Sequence, residues 1–438
     1  MAMNSWLNSI ADAGRELWTK ASQRNGKSIK DLCQQLSSNK GEAMGTALAY
    51  AFVTAYKELD EQGKADFFEL LLTDYSQDSN QIIRRADAYK AAPNPANLAA
   101  LTKVVRSPRR LLFQRINMAP DGTHLLVNMR KDLLHALKVN KELSVVDSDL
   151  QQLLETWFNR GFLKIRRIDW RTPAHILEKL IAYEAVHEMD GWDDLRRRLE
   201  DDRRCFAFFH PALEDEPLIF VEVALVDGLA TAVQPLLAPR LDQQVSADTA
   251  IFYSISNCQK GLKGISFGNF LIKQVVMELQ EELPKLKHFA TLSPIPGFSR
   301  WLELQLADKN SAHVTKADKE IISWLKPGWH LDGVSSEPAR DTLMRLCLHY
   351  LVEQKRGVAP LDPVARFHLG NGARVEQLNW LGDTSANGVG QSYGILVNYG
   401  YKLNHVEENH EAFVNQNIIA QSKTIAAQLK MPALTKII

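Results

Sequence analysis

Two kinds of residue periodicity follow one another along the chain, and their order limits the folds that it can adopt. Within residues 1–154, apolar residues recur at intervals of three and four, as at Leu32, Cys33 and Leu36, which is the spacing of an amphipathic helix. From residue 155 onward, short runs such as Leu218–Leu225 are dense in β-branched and aromatic residues, which are typical of strands. We therefore predict an α+β protein, with an all-helical bundle over 1–154 and a mixed α/β domain over 155–438.

Length and composition agree with two globular domains. A chain of 438 residues is too long for one ordinary hydrophobic core. Lys+Arg and Asp+Glu both number 52, so net charge gives no argument for nucleic acid or a membrane surface as a partner. No apolar run approaches the ~18 residues that a membrane-spanning helix needs. We expect neither nucleic acid nor a membrane as a partner.

Cysteine usage and the chain ends bear on location. The four cysteines are widely spaced, without a Cys-x-x-Cys pair, which argues against a zinc ribbon or a disulfide framework and indicates a reducing compartment. The first residues lack the pattern of a secretory signal, and the last ones lack the Ser-Lys-Leu peroxisomal signal. We expect a cytoplasmic location.

Two segments place reactive side chains at rigid corners. A strand-like run ends at Ser293, and Pro294 and Pro296 then remove backbone donors and restrict φ, so no regular element continues. His368 lies just before a Gly-Asn-Gly turn. A serine and a histidine held in this way are candidates for a catalytic pair.

A glycine-rich loop separates a predicted strand from a predicted helix. The strand is Ile251–Ser256, glycines follow at 261, 264 and 268, and apolar residues then recur every four positions from Leu271 to Leu283. Such a loop can point backbone N–H groups at an anion, and Lys260 and Lys263 add positive charge. Neither Gly-x-Gly-x-x-Gly nor a P-loop ending is present. A pyrophosphate-binding loop and a plain turn therefore both remain open at this point.

Taken together, these segments resemble the malonyl-CoA decarboxylase family. The resemblance rests on Gln259–Lys273, Leu292–Phe298 and Phe367–Ala373. Further support comes from Arg109–Asn117, Ala182–His187, Asn379–Trp380 and Asn398–Tyr401. These segments extend over most of the chain.

The resemblance implies a fold, an activity and a set of site residues. It implies that the α/β domain is acetyltransferase-like (GNAT-type), and that the protein converts malonyl-CoA to acetyl-CoA and CO2 with no metal or organic cofactor. It implies a catalytic pair, Ser293 and His368, with Tyr401 as a further member of the network. It also implies a homo-oligomer, a tetramer arranged as a dimer of dimers, assembled through the helical domain. The implied acyl-CoA phosphate loop consists of Lys263, Gly264, Ile265, Ser266, Phe267, Gly268 and Asn269.

The chemistry suits these residues because a malonyl thioester supplies its own electron sink. Its carbonyl becomes an enolate when CO2 leaves, so the protein must stabilise an oxyanion and protonate a carbon. Donors aimed at such an oxyanion are each worth about 10²–10³ in rate, and a positioned proton donor about 10²–10⁴. We assign the proton donor to His368, whose ordinary pKa near 6.5 suits exchange at neutral pH. Ser293 is expected to orient the leaving carboxylate and to join the proton relay through His368.

Three other functions remain as alternatives. A hydrolase is disfavoured because Ser293 lacks a Gly-x-Ser-x-Gly elbow and is followed by proline. An acyl-CoA acyltransferase of similar fold needs a second substrate. A non-catalytic malonyl-CoA-binding regulator would be indifferent to the loss of His368.

Two patterns suggest other ligands but have simpler interpretations. Glu184–His187 and Glu407–His410 match the Glu-x-x-His spacing of di-iron bundles, without the further glutamates that such sites need, and we predict no metal. The basic stretch Arg106–Arg115 contains apolar residues at helical spacing, which favours a solvated helix face over a nucleic-acid surface.

Overall fold

The protein is represented by a computed structural model, which describes residues 28–38, 41–239, 247–265, 271–331 and 333–429. These residues form two compact units. The first contains the described residues up to Leu163, together with His210–Asp215 and residues 259–265. The second contains Lys164–Phe209, the described part of Glu216–Cys258, and the described residues from 271 onward. The predicted division after residue 154 stays a prediction.

Helices make up most of the described part of the first unit. Its α-helices are α1 (Ile29–Ser37), α2 (Glu42–Lys57), α3 (Glu61–Thr73), α4 (Ser79–Ala91), α5 (Pro95–Val105), α6 (Pro108–Ile116), α7 (Gly122–Ala136) and α8 (Ser144–Trp157). Short 3-10 turns lie at Lys141–Leu143, Arg160–Phe162 and Lys260–Leu262.

Local signals explain where these helices begin and which face they bury. At the start of α1, Ser28 and Asp31 form a capping box in which each side chain accepts from the other's backbone N–H. The buried residues of α1 are Leu32, Cys33 and Leu36, as the sequence periodicity predicts. Burial of this stripe against the rest of the bundle is what stabilises so short a helix.

Helices α4 and α5 form an exposed pair. Asp78 caps α4, and Asn94 caps α5 with Pro95 in its first turn. Neither helix buries a residue within the described structure. Ile83 is 58% exposed and Leu98 is 47% exposed. Each of these two helices therefore leaves a large apolar side chain open to solvent.

The basic stretch Arg106–Arg115 is only partly solvated. Arg109 is buried; its Nε donates to Asp149 at 2.8 Å, and its Nη1 donates to the Leu71 carbonyl and the Ser76 hydroxyl at 3.2 Å each. The interpretation of this stretch as a solvated face is therefore wrong at Arg109, because this guanidinium is an internal cross-link between helices.

The second unit is built on a mixed sheet. Its strands are β1 (Lys164–Ile168), β2 (Arg203–Phe209), β3 (Ile219–Val226), β4 (Thr249–Asn257), β5 (His288–Thr291), β8 (Arg374–Asn379) and β9 (Leu396–Gly400). The spatial order is β1-β2-β3-β4-β5-β9-β8, and every neighbouring pair is antiparallel except the parallel pair β4–β5. A separate two-stranded ribbon pairs β6 (Lys355–Arg356) with β7 (Ala359–Pro360).

The helices of the second unit follow the strands in chain order. They are α9 (Ala174–Tyr183), α10 (Trp192–Arg198), α11 (Gln234–Leu237), α12 (Leu271–Glu282), α13 (Phe298–Ala307), α14 (Lys316–Ser323), α15 (Gly333–Val352), α16 (Pro363–Gly370), α17 (Ala386–Ser392), α18 (Val406–Gln416) and α19 (Lys423–Leu429). A 3-10 turn lies at Trp329–Leu331. No helix in the described part of the chain has both the length and the hydropathy of a membrane span.

The predicted α+β class is confirmed by this order of elements. The strands predicted at Leu218–Leu225, at Ile251–Ser256 and before Ser293 are β3, β4 and β5. The strands β1 and β2 were not predicted, because β1 contains three basic residues and β2 opens with two arginines. Charged residues of this kind hide the alternation that identifies a strand.

The apolar core of the sheet lies on the face opposite the side chains of Thr291 and Ser293. Ile251, Ala290 and Leu292 belong to one buried cluster. Successive side chains of a strand point to opposite faces, so Thr291 and Ser293 share the other face. Polar side chains at the end of β5 are thereby separated from this apolar cluster.

Candidate active site

Ser293 is held at a sheet position where regular structure stops. Its backbone N–H donates to the Val397 carbonyl at 2.8 Å, and its carbonyl accepts from the Val397 N–H at 3.0 Å. Pro294 follows, so the pairing with β9 does not continue. Both backbone groups of Ser293 are therefore fixed, and the direction of its side chain is set by the sheet.

His368 lies in the last turn of α16. The helix begins at Asp362, whose carboxylate accepts from the N–H groups of Val364 and Ala365 at 2.9 Å each. It ends in the predicted turn, where Gly372 has φ +80°, and a Cβ at this position would lie 2.1 Å from the Val406 carbonyl oxygen. Only glycine fits such a position without strain.

The three predicted catalytic residues meet in the second unit. Ser293 Oγ lies 3.2 Å from His368 Nε2, and His368 Nδ1 lies 2.9 Å from the Tyr401 hydroxyl. All three side chains are buried. They form a continuous hydrogen-bonded line in which the imidazole is contacted through both ring nitrogens.

Thr291 extends this line and was not predicted from the sequence. Ser293 Oγ donates to Thr291 Oγ1 at 2.8 Å, and the Tyr399 N–H donates to the same oxygen at 3.1 Å. A serine hydroxyl has one proton, so Ser293 accepts from His368 Nε2, and His368 Nδ1 accepts from Tyr401. Donation therefore runs from Tyr401 through His368 and Ser293 to Thr291. A hydroxyl two residues before Ser293 was the available signal, but threonine is common in strands.

Burial keeps the imidazole neutral. Desolvation lowers the pKa of His368 to about 3, and desolvation also raises the pKa of Tyr401 well above its ordinary value. The ordinary histidine pKa near 6.5 therefore does not apply at this site. At neutral pH the line contains a neutral imidazole and a protonated phenol.

A pair of buried amides fixes the strand ends behind this line. Asn398 donates from Nδ2 to the Thr291 carbonyl at 2.7 Å and to the Ala230 carbonyl at 3.1 Å, and its Oδ1 accepts from Asn379 at 2.7 Å. Asn379 and Asn398 belong to the motifs behind the family resemblance. Their contacts give them a role in holding β5, β8 and β9 together at the residues next to Ser293.

The predicted phosphate loop is described only in part. Lys263 and Gly264 are exposed, Ile265 is buried, and Gly264 has φ +81°, a conformation that favours glycine. The four other predicted loop residues lie outside the described residues: Ser266, Phe267, Gly268 and Asn269. The described part is a tight turn that presents the Gly264 backbone and the Lys263 side chain to solvent.

Glu184 of the Glu-x-x-His segment is hydrogen-bonded by other protein groups. Its carboxylate accepts from the hydroxyls of Ser254 and Ser256 and from the N–H groups of Val186 and His187, at 2.8–3.2 Å. A buried carboxylate with this many donors is satisfied without a cation. Among the described residues, no group of three or more ligating side chains is arranged to hold a metal ion.

Comparison with known proteins identifies the family of the chain. The family model for the malonyl-CoA decarboxylase C-terminal domain matches residues 161–437, and that for the N-terminal domain matches residues 75–158. A mitochondrial malonyl-CoA decarboxylase of Anser anser anser is 35% identical over 413 residues, which cover 85% of this chain and 81% of that protein. That of Mus musculus is 33% identical over 410 residues, covering 85% of this chain and 83% of that protein.

Solved structures give the same result. The crystal structure of malonyl-CoA decarboxylase from Rhodopseudomonas palustris has a TM-score of 0.88 and 43% identity, covering 92% of this chain and 100% of that chain. The one from Agrobacterium vitis has a TM-score of 0.86 and 44% identity, with the same coverage. The resemblance inferred from the sequence motifs is confirmed, and the chain belongs to the malonyl-CoA decarboxylase family.

Proposed function

We propose that this chain decarboxylates malonyl-CoA to acetyl-CoA and CO2, with Ser293 and His368 as the catalytic pair and Tyr401 behind them. The observation that supports it most directly is the buried line from Tyr401 through His368 to Ser293, in a chain of the malonyl-CoA decarboxylase family. The line can deliver a proton to a carbon atom without forming an imidazolium inside the protein.

The reaction needs one proton for each CO2 released. The bond between the carboxylate carbon and Cα breaks, its electron pair moves onto the thioester as an enolate, and Cα then takes a proton. His368 is neutral, so its Nε2 proton is most readily given up when Nδ1 receives one from Tyr401 in the same event. The imidazole thus stays neutral, and Tyr401 regains its proton from water. No organic cofactor is required, because the thioester itself holds the electrons.

Ser293 has two tasks in this scheme. Its hydroxyl donates to Thr291 in the ligand-free site, and rotation about its Cβ–Oγ bond redirects that proton to the substrate carboxylate. The oxygen keeps accepting from His368 Nε2 meanwhile. Ser293 therefore orients the leaving group and passes the proton on, with no acyl-enzyme intermediate.

Hydrolysis through Ser293 is disfavoured by the backbone around it. An acyl-enzyme mechanism needs N–H donors for the oxyanion close to the nucleophile. The Ser293 N–H is bonded to the Val397 carbonyl, and Pro294 has no N–H. A histidine with a pKa of about 3 is also a poor general base at neutral pH.

We also propose that Lys263–Asn269 bind the phosphates of the coenzyme A moiety. Two features of the described part support this role. Gly264 adopts a left-handed conformation, and Lys260 and Lys263 are exposed on the same turn. Exposed ammonium groups next to an exposed glycine backbone suit a pyrophosphate.

Assembly and location are further proposals. A homotetramer, arranged as a dimer of dimers through the helical N-terminal domain, is supported by the exposed apolar residues of α4 and α5. Light scattering of the wild type and of Ile83→Glu tests it, since a charge at a subunit contact should lower the mass. A cytoplasmic location is supported by four buried free thiols, which fit a reducing compartment, and cell fractionation tests it.

The deciding experiment is incubation of purified, metal-stripped protein with malonyl-CoA alone. Equal amounts of acetyl-CoA and CO2 by mass spectrometry, lost in His368→Ala, support the proposal. Free coenzyme A and malonate indicate a thioesterase instead. Substrate that binds but is not converted leaves the acyltransferase and the regulator, and an acceptor screen separates these two.

A further inference from the structure

A buried arginine of the first unit holds the turn that leads into the phosphate loop. Arg130, on α7, is 2% exposed. Its Nη1 donates to the carbonyl oxygens of Gly261 and Lys263 at 2.9 and 2.8 Å. Its Nε donates to Asp147 at 2.8 Å, and its Nη2 donates to Gln151 at 3.1 Å. One guanidinium thus ties α7, α8 and the turn together.

The turn also touches the backbone of α7. A Cβ at Gly261 would lie 1.9 Å from the Val127 carbonyl oxygen, so only glycine permits this approach. Gly261 is buried, whereas Lys263 and Gly264 are exposed. The turn therefore has an inner side fixed on α7 and an outer side open to solvent.

We propose that Arg130 is a positioning residue for the coenzyme A phosphates, acting through this turn; the inference rests on the proposed function. In a trans peptide the carbonyl and the following N–H point in opposite directions. Because Arg130 draws the Lys263 carbonyl inward, the Gly264 N–H points outward. Asp147 already pairs with the guanidinium charge, so Arg130 acts by directing the backbone rather than by attracting the anion itself.

The chain provides a matched control in Arg109. Arg109 is equally buried, pairs with Asp149 at 2.8 Å and donates to a backbone carbonyl, but among the described residues none of its contacts involves the turn. The two aspartates have nearly the same side-chain exposure, 15% for Asp147 and 14% for Asp149. Replacing either arginine therefore leaves a comparable unpaired carboxylate, and only one replacement releases the turn.

The test compares Arg130→Met and Arg109→Met on two substrates, malonyl-CoA and malonyl-pantetheine, which lacks the phosphates. For Arg130→Met we expect KM for malonyl-CoA to rise roughly 10- to 100-fold, since bonds from a charged donor to the loop carbonyls are lost. We expect kcat to stay within about threefold, and kcat/KM for malonyl-pantetheine to be unchanged. Calorimetry with coenzyme A should show the same loss of affinity. Arg109→Met should lower thermal stability without raising KM.

Two results overturn the inference: an unchanged KM for malonyl-CoA in Arg130→Met, or an equal loss on both substrates. If Arg130→Met does not fold, Arg130→Lys is the test, because lysine keeps the charge but cannot reproduce the paired geometry. A rise in KM for malonyl-CoA alone, smaller than that expected for Arg130→Met, supports the inference. An unchanged KM overturns it. A wild type that binds coenzyme A but releases no CO2 refutes the proposed function alone, and calorimetry on the variants still decides the role of Arg130.

Discussion

The pH dependence of kcat/KM tests the proposed chemistry most directly. The pH profile of kcat/KM reports the groups that titrate in the free enzyme. Burial lowers the pKa of His368 to about 3, and burial raises the pKa of Tyr401 well above its ordinary value. Neither residue should therefore change its charge between pH 5 and pH 8.

The size of the expected effect follows from the histidine pKa. With a pKa of about 3, the charged fraction at pH 7 is about 10 to the power 3 − 7, or one part in ten thousand. If the donor had to be an imidazolium, kcat/KM would fall tenfold per pH unit, roughly a thousandfold from pH 5 to pH 8. If the neutral imidazole transfers the proton, titration of His368 causes no change in kcat/KM between pH 5 and pH 8.

The assay is the initial rate of acetyl-CoA formation at malonyl-CoA concentrations below KM, from pH 5 to pH 8. Asp362, at the start of α16, needs a control because burial raises its pKa to about 6. Asp362→Asn keeps an acceptor for the helix N–H groups and removes that titration. A limb near pH 6 that disappears in this variant belongs to Asp362.

Two outcomes refute the reasoning, each in a different way. A steady tenfold fall in kcat/KM per pH unit means that the imidazolium is the proton donor and that transfer through a neutral imidazole is wrong. An acid limb near pH 6.5 that persists in Asp362→Asn means that His368 titrates normally, so its burial does not control its pKa.

Three further predictions concern the same site. Thr291→Val should leave kcat nearly unchanged, because Ser293 donates to the substrate carboxylate rather than to Thr291 during the reaction. It should destabilise the protein by about 1–3 kcal/mol, because the buried Tyr399 N–H loses its acceptor, and Thr291→Ser should restore most of that stability in denaturant titrations. His368 binds a proton below about pH 6.5 in the unfolded protein but only near pH 3 in the native protein, so lowering the pH from 7 to 5 should reduce the free energy of unfolding by about 2 kcal/mol through this residue. In denaturant titrations, His368→Asn should lack this part of the loss. An equal loss in the wild type and the variant would contradict the prediction. Gly372→Ala should destabilise by at least about 2 kcal/mol, because its Cβ would meet the Val406 carbonyl. Gly357→Ala is its control, since Gly357 also has positive φ but open space around it, and equal melting temperatures for the two variants would count against a steric cause.

The elements that were predicted correctly are those with strong local patterns. In α12, Leu271, Val275 and Leu279 are buried, as their four-residue spacing requires. In α1, Leu32, Cys33 and Leu36 are buried, as their spacing predicts. These signals lie within a few residues of one another, so the sequence shows them without knowledge of the fold.

The missed parts depend on neighbours that are distant in the chain. Thr291 is an ordinary strand residue until the Tyr399 N–H and Ser293 both donate to it. Arg130 is an ordinary helix residue until the turn at residues 261–263 packs on it. Neither role has a local pattern, because the partner groups come from other elements.

The sequence by itself determined the α+β order, the rigid corners at Ser293 and His368, and the family, since each depends on short-range periodicity, proline and glycine, or motif identity. Only the tertiary structure decided that these corners meet. Pairing of β5 with β9 brings Ser293 and Tyr401 to one face of the sheet, and α16 places His368 between them. The same packing excludes water from the imidazole, and desolvation then lowers its pKa. A pKa depends on the groups and solvent around a side chain, and these are set by contacts between residues far apart in sequence.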